Sequence, residues 1–238
     1  MNKTIDESIQ LVNELKQKNF SGQTTVIVCP PYTSLAVVQQ VVKGSSLKLG
    51  AQDVSVNNDG AYTGEISISM LKAIGCEYVI VGHSERRQYF KETNDLINQK
   101  AKKVLAAGLL PIICVGETLE EREQNITDQV ITVQIKGVLA GLTSAEVEKT
   151  IIAYEPVWAI GTGKTATTQQ AVEVHQLIRK LISQLYSWNV AERVAVQYGG
   201  SVKPENAKEL LSQADIDGAL VGGACLKTDA FAAIIQAV

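Results

Sequence analysis

Short apolar runs recur along the chain with little polar alternation inside them. They occupy residues 25–29, 47–51, 78–81, 110–115, 151–154, 194–198 and 218–221. Runs of this length and type predict parallel strands covered on both faces. Apolar residues at helical spacing fill the stretches between, most clearly over 95–107 and 168–186. Repeated strand–helix units without hairpin signals predict an α/β fold, either an open doubly wound sheet or a barrel. No linker or shift of composition divides the chain, so residues 1–238 are expected to form one domain.

The opening residues depart from this rhythm. Thr4 and Glu7 form a capping box, and Ile5, Ile9, Leu11, Val12 and Leu15 supply an apolar helical face that runs to about Lys18. Three residues ahead of a cap cannot make a strand. The pattern therefore encodes seven strands, one fewer than a closed (β/α)8 barrel contains.

Composition narrows the function classes. Hydrophobic residues make up 45% and charged residues 20%, ordinary for a globular domain with a sizeable core. A net charge of −3 with scattered Lys and Arg gives no basic patch for nucleic acid or a membrane surface. The N-terminal residues show no signal pattern, and no apolar run reaches about 18 residues. Cys29, Cys76, Cys114 and Cys225 are far apart, with no Cys-x-x-Cys, and only His83 and His175 could assist a metal. Reduced thiols in a cytosolic protein, with no zinc site, are expected.

Two strand ends carry candidate chemistry. The fifth run leads into Tyr154-Glu155-Pro156-Val157-Trp158-Ala159-Ile160-Gly161-Thr162-Gly163-Lys164. A carboxylate stands at the strand's end, beside a loop that is stiff at Pro156 and permissive at its glycines. That is the arrangement of a general base next to a closing lid. The third run leads into Gly82-His83-Ser84-Glu85-Arg86-Arg87. Either His83 or Glu155 alone would be an ordinary helix-start or strand-end residue, but together they mark a site. The sixth and seventh runs end in Gly199-Gly200-Ser201 and Gly222-Gly223. Backbone N–H groups of such turns can crowd around a phosphate, so a small phosphate ester is the expected substrate.

These motifs closely resemble triosephosphate isomerase over essentially the whole chain. Ala51-Gln52-Asp53, Gly60-Ala61-Tyr62-Thr63-Gly64-Glu65-Ile66-Ser67 and Cys114-Val115-Gly116-Glu117-Thr118 add to the likeness. The resemblance implies a (β/α)8 barrel that interconverts dihydroxyacetone phosphate and glyceraldehyde 3-phosphate without cofactor or metal. By position, Glu155 resembles the base. His83 resembles the electrophile that donates a hydrogen bond to the enediolate from a neutral imidazole. Gly161, Ser201, Gly222 and Gly223 resemble the phosphate cradle, and Glu85 a supporting acid. Cys114 resembles a packing position, and Arg86 is expected to pair with Glu65. The loop over 57–67, around Thr63, resembles one that reaches into a neighbouring subunit, which implies a homodimer.

The match departs from the family at its start. Family members open with a strand ending Asn-x-Lys-Met-Asn, whose asparagine and lysine face the substrate. Met1-Asn2 match only the last two residues of that motif, and Lys3 falls three places beyond the essential lysine. Unpaired edges near Val26 and Ala219 are therefore expected, with strongly impaired turnover. A start placed at an internal methionine would account for the difference. An inactive phosphate-ligand-binding barrel or another phosphate-binding barrel enzyme are the alternatives. Neither explains why His83, Glu155 and the lid occur together.

Overall fold

The computed structural model describes residues 1–18, 20, 24–160 and 165–237. Seven strands form one sheet whose spatial order repeats the chain order. They are β1 (Ile27–Val28), β2 (Lys48–Ala51), β3 (Tyr78–Val81), β4 (Leu110–Val115), β5 (Ile151–Tyr154), β6 (Ala195–Tyr198) and β7 (Gly218–Ala219). Every neighbouring pair is parallel. A doubly wound sheet reverses its strand order at a switch point. This sheet never does, so it curls one way, as a barrel wall does, and the open-sheet alternative falls.

Side-chain alternation sorts the strand residues into two cores. Val79, Val81, Ile113, Val115, Ile152, Tyr154, Val196 and Tyr198 pack outward against the helices in the larger core. Ile80, Ile112, Cys114 and Ala153 face inward and are buried. Ile27, Cys29 and Leu220, which belong to the β1 and β7 side of the same interior, are only half-buried. β1 and β7 are also shorter than the apolar runs predict. Each has a pairing partner on one side only among the described residues, so nothing extends its ladder.

Local signals place the helices. Thr4 caps the helix Ile5–Lys16 through the expected box, with its N–H donating to Glu7 Oε2 at 2.7 Å. The helix stops two residues short of Lys18. Thr93 caps Asn94–Ala106, and Thr167 caps Thr168–Leu185 with Gln170 completing the box. No helix among the described residues is long and apolar enough to cross a membrane.

Candidate active site

Glu155 follows β5 directly and is 2% exposed. Its N–H donates to the Val115 carbonyl at 2.7 Å, which continues the β4–β5 ladder one residue further. The space beside it exists because Gly199 has no side chain: a Cβ there would stand 2.9 Å from Glu155 Cγ. His83 is brought to the same place from the end of β3 by a sharp turn at Gly82, whose φ of +71° suits only glycine well. Arg87 fastens this turn, donating from Nε to the Gly82 carbonyl and from Nη2 to the Cys114 carbonyl, each at 2.9 Å.

Imidazole and carboxylate meet at 2.9 Å, His83 Nε2 to Glu155 Oε1. His83 is the N-cap of the helix Ser84–Phe90, and its Nδ1 accepts the Glu85 N–H at 3.3 Å. An accepting Nδ1 leaves the ring proton on Nε2, aimed at Glu155. Burial works against a charge on this ring, but the hydrogen bond and charge of Glu155, with Glu85 adding, outweigh it and raise its pKa. The other carboxylate oxygen is held by a residue that sequence reasoning passed over. Ser84 N–H donates to Glu155 Oε2 at 2.9 Å, and Ser84 Oγ to Oε1 at 3.3 Å. The signal was available: the first residue of a helix has a free amide, and Ser84 occupies that position. Glu85 touches His83 through its backbone, while its carboxylate is largely exposed, 3.8 Å from Nδ1.

Register brings the two glycine turns together. Tyr198 pairs with Ala219, so Gly199-Gly200 runs beside Leu220-Val221, just ahead of Gly222-Gly223. Gly222 and Gly223 are exposed, and Ser201 is half-buried with its carbonyl accepting from Asn206 Nδ2 at 3.1 Å. Gly161, expected in the same cradle, lies outside the described residues, as do Thr162, Gly163 and Lys164. The start of the loop expected to act as a lid is a 3-10 turn, Val157–Ala159, tied to a buried carboxylate. Glu117 Oε1 accepts from Trp158 Nε1 at 2.9 Å and from the Tyr154 hydroxyl at 3.1 Å, and the Val157 N–H donates to the Glu117 carbonyl at 3.0 Å. Burial raises the Glu117 pKa in spite of these donors.

Arg86 does not pair with Glu65, which is exposed. It meets Asp53 at 2.9 Å and Glu92 at 2.6 Å, and Lys100 bridges the same two carboxylates at 2.6 and 2.5 Å. The buried carboxylates of Asp53 and Glu92 need close cations, and Glu65 sits on the wrong, solvated side of the loop to compete. Cys114 lies in the interior core as expected, and all four cysteines are free. Thr63 is at the exposed tip of the 57–67 loop, whose base is closed by the Ser55 N–H donating to the Ile66 carbonyl at 2.8 Å. No group of three or more potential metal ligands occurs among the described residues.

A curled parallel sheet with an imidazole–carboxylate pair at the carboxyl ends of its strands defines an α/β-barrel protein with its candidate site on the face where barrel enzymes carry their chemistry. The family model "Triosephosphate isomerase" matches residues 1–238. A triosephosphate isomerase of Clostridium botulinum (strain Langeland) is 54% identical over 236 residues, covering 99% of this chain and 95% of the relative. One from Carboxydothermus hydrogenoformans is 54% identical, covering 99% and 94%, and one from Clostridium tetani 51%, covering 99% and 92%. The chain belongs to the triosephosphate isomerase family, and its class of enzyme is isomerase.

Proposed function

We propose that this site interconverts dihydroxyacetone phosphate and glyceraldehyde 3-phosphate by proton transfer through an enediolate. The observation that carries this is the buried Glu155 carboxylate 2.9 Å from His83 Nε2, with two glycine turns beside it. Glu155 takes the proton from the carbon next to the carbonyl. His83, with its Nε2–H directed into the site, donates to the developing oxyanion, whose stabilisation is the largest single contribution to rate. A substrate carbonyl entering between the two side chains replaces their mutual contact. That removes the main cause of the raised His83 pKa and favours the neutral donor. Gly222, Gly223 and Ser201 supply the phosphate cradle, joined by Gly161 when the lid closes and shields the intermediate from phosphate loss.

Binding separates this proposal from an inactive phosphate-ligand barrel. A phosphorylated hydroxamate resembling the enediolate is expected to bind at least about 100-fold more tightly than inorganic phosphate, measured by calorimetry. Equal affinities would mean that the site reads phosphate only.

The same family resemblance supports a homodimer built around the loop over 57–67. Tyr62, Met70, Tyr89 and Phe90 are exposed large hydrophobic residues in or near that region of the chain. Sedimentation equilibrium should give twice the 25.6 kDa chain mass, and Tyr62→Asp should shift it toward the monomer. A wild-type chain that stays monomeric at high micromolar concentration would remove the dimer.

A further inference from the structure

His175 has no place in the chemistry described above, yet it occupies the point where the site's supports converge. It lies on the helix Thr168–Leu185 and is 0% exposed. Its ring meets Tyr154 edge-on, with centroids 5.9 Å apart and planes at 83°, and lies tilted against Tyr198 at 6.4 Å. Tyr154 is the residue before Glu155, and Tyr198 the residue before Gly199. The Tyr154 hydroxyl continues to Glu117, which holds Trp158 at the lid's entry leg. The Tyr198 hydroxyl is buried close to Ala166, without a hydrogen-bond partner among the described residues.

The imidazole is itself locked. Nδ1 lies 3.0 Å from the Asp215 carbonyl, which accepts only, so the ring proton is on Nδ1. Nε2 is buried without a hydrogen-bond partner among the described residues. Burial lowers the ring's pKa to about 4; the charged groups that influence it are Asp215, Asp217 and Arg179. A buried imidazole with one nitrogen unsatisfied costs free energy compared with an apolar side chain of similar size. A leucine would fill the space more cheaply, but it has no Nδ1 donor to fix its orientation against both tyrosines.

From this we infer that His175 is a positioning residue for catalysis. It clamps Tyr154 and Tyr198 and thereby sets Glu155 against His83. The inference rests on Glu155 being the base. Misplacement of a reacting group by a fraction of an ångström is enough to lower turnover markedly.

The chain contains two histidines, so any His175 variant leaves His83 as the sole imidazole reporter. The charged groups acting on His83 are Glu155, Glu85 and Arg86. The experiment follows the His83 ring by NMR across pH in wild type, His175→Leu, His175→Asn and Glu155→Gln. Glu155→Gln should lower the His83 pKa, because it removes the carboxylate. If it does not, the Glu155–His83 pair itself is wrong, whatever His175 does. His175→Leu, folded by circular dichroism, should lower the His83 pKa by about half a unit or more. His175→Asn, which restores an amide donor for Asp215, should recover most of that shift. An unchanged His83 titration in folded His175→Leu overturns the inference. If His175→Leu does not fold, the wild-type spectrum decides. His175 should stay neutral in the Nδ1–H form from pH 8 to 5, and titration near 6.5 would overturn the clamp.

Discussion

Two histidines in one chain are driven in opposite directions by their surroundings. His83 faces a carboxylate, and its pKa is raised against the resistance of burial. Its contribution to stability is present below the ordinary histidine pKa and is lost as pH rises through the folded value. His175 sets Nδ1 against the Asp215 carbonyl and its ring against two tyrosines, and burial lowers its pKa to about 4. Between that value and about 6.5 the unfolded chain binds a proton that the folded chain refuses, so stability falls as pH drops through this window. The full cost is roughly 3 kcal/mol at 1.36 kcal/mol per unit. Urea titrations at pH 6.5 and pH 4 should show wild type losing more stability than folded His175→Leu, by an amount of that order. Equal losses would mean that His175 is not held neutral. Sequence alone exposed His83, because it begins a helix directly after an apolar run. It left His175 anonymous, since a histidine on an apolar helical face carries no sign of which strands it will meet. Ser84 was hidden differently: it stood between two conspicuous residues, and its working group is a backbone amide.

Helix starts were legible because their causes are local. Thr4 accepts an amide from Glu7 three residues on, a spacing visible in the sequence, and Thr93 and Thr167 cap their helices in the same way without having been read as caps. Strand centres were legible for a similar reason, since a buried parallel strand must be apolar on both faces. Strand ends were not. The first and last apolar runs extend beyond the two-residue ladders of β1 and β7 because ladder length depends on a neighbour, which no single run encodes. The lid's entry leg shows the same division. Pro156 announced a stiff start, but its anchoring by Trp158 and Tyr154 to Glu117 depends on β4 and β5 lying side by side. Arg86 was matched with the wrong acid for that reason too: Asp53 and Glu92 converge on it only through the fold.

Across the whole molecule, chain order and spatial order coincide, and that repetition is why every strand delivers its following loop to one face. Glu155 and His83 come from strands far apart in sequence and still meet at 2.9 Å. The alternation of outer and inner cores was implicit in the apolar runs, but the direction of curl was not, and residue spacing alone left the open sheet standing. The half-buried Ile27, Cys29 and Leu220 mark where the inner core meets the edges of β1 and β7 that have no pairing partner among the described residues.

Isomerase turnover from glyceraldehyde 3-phosphate tests the central claim most directly, measured on the chain and on Glu155→Gln prepared identically. Glu155→Gln is expected to lower turnover by about 100-fold or more. A Glu155→Gln protein that turns over as fast as its parent would contradict the assignment of Glu155 as the base.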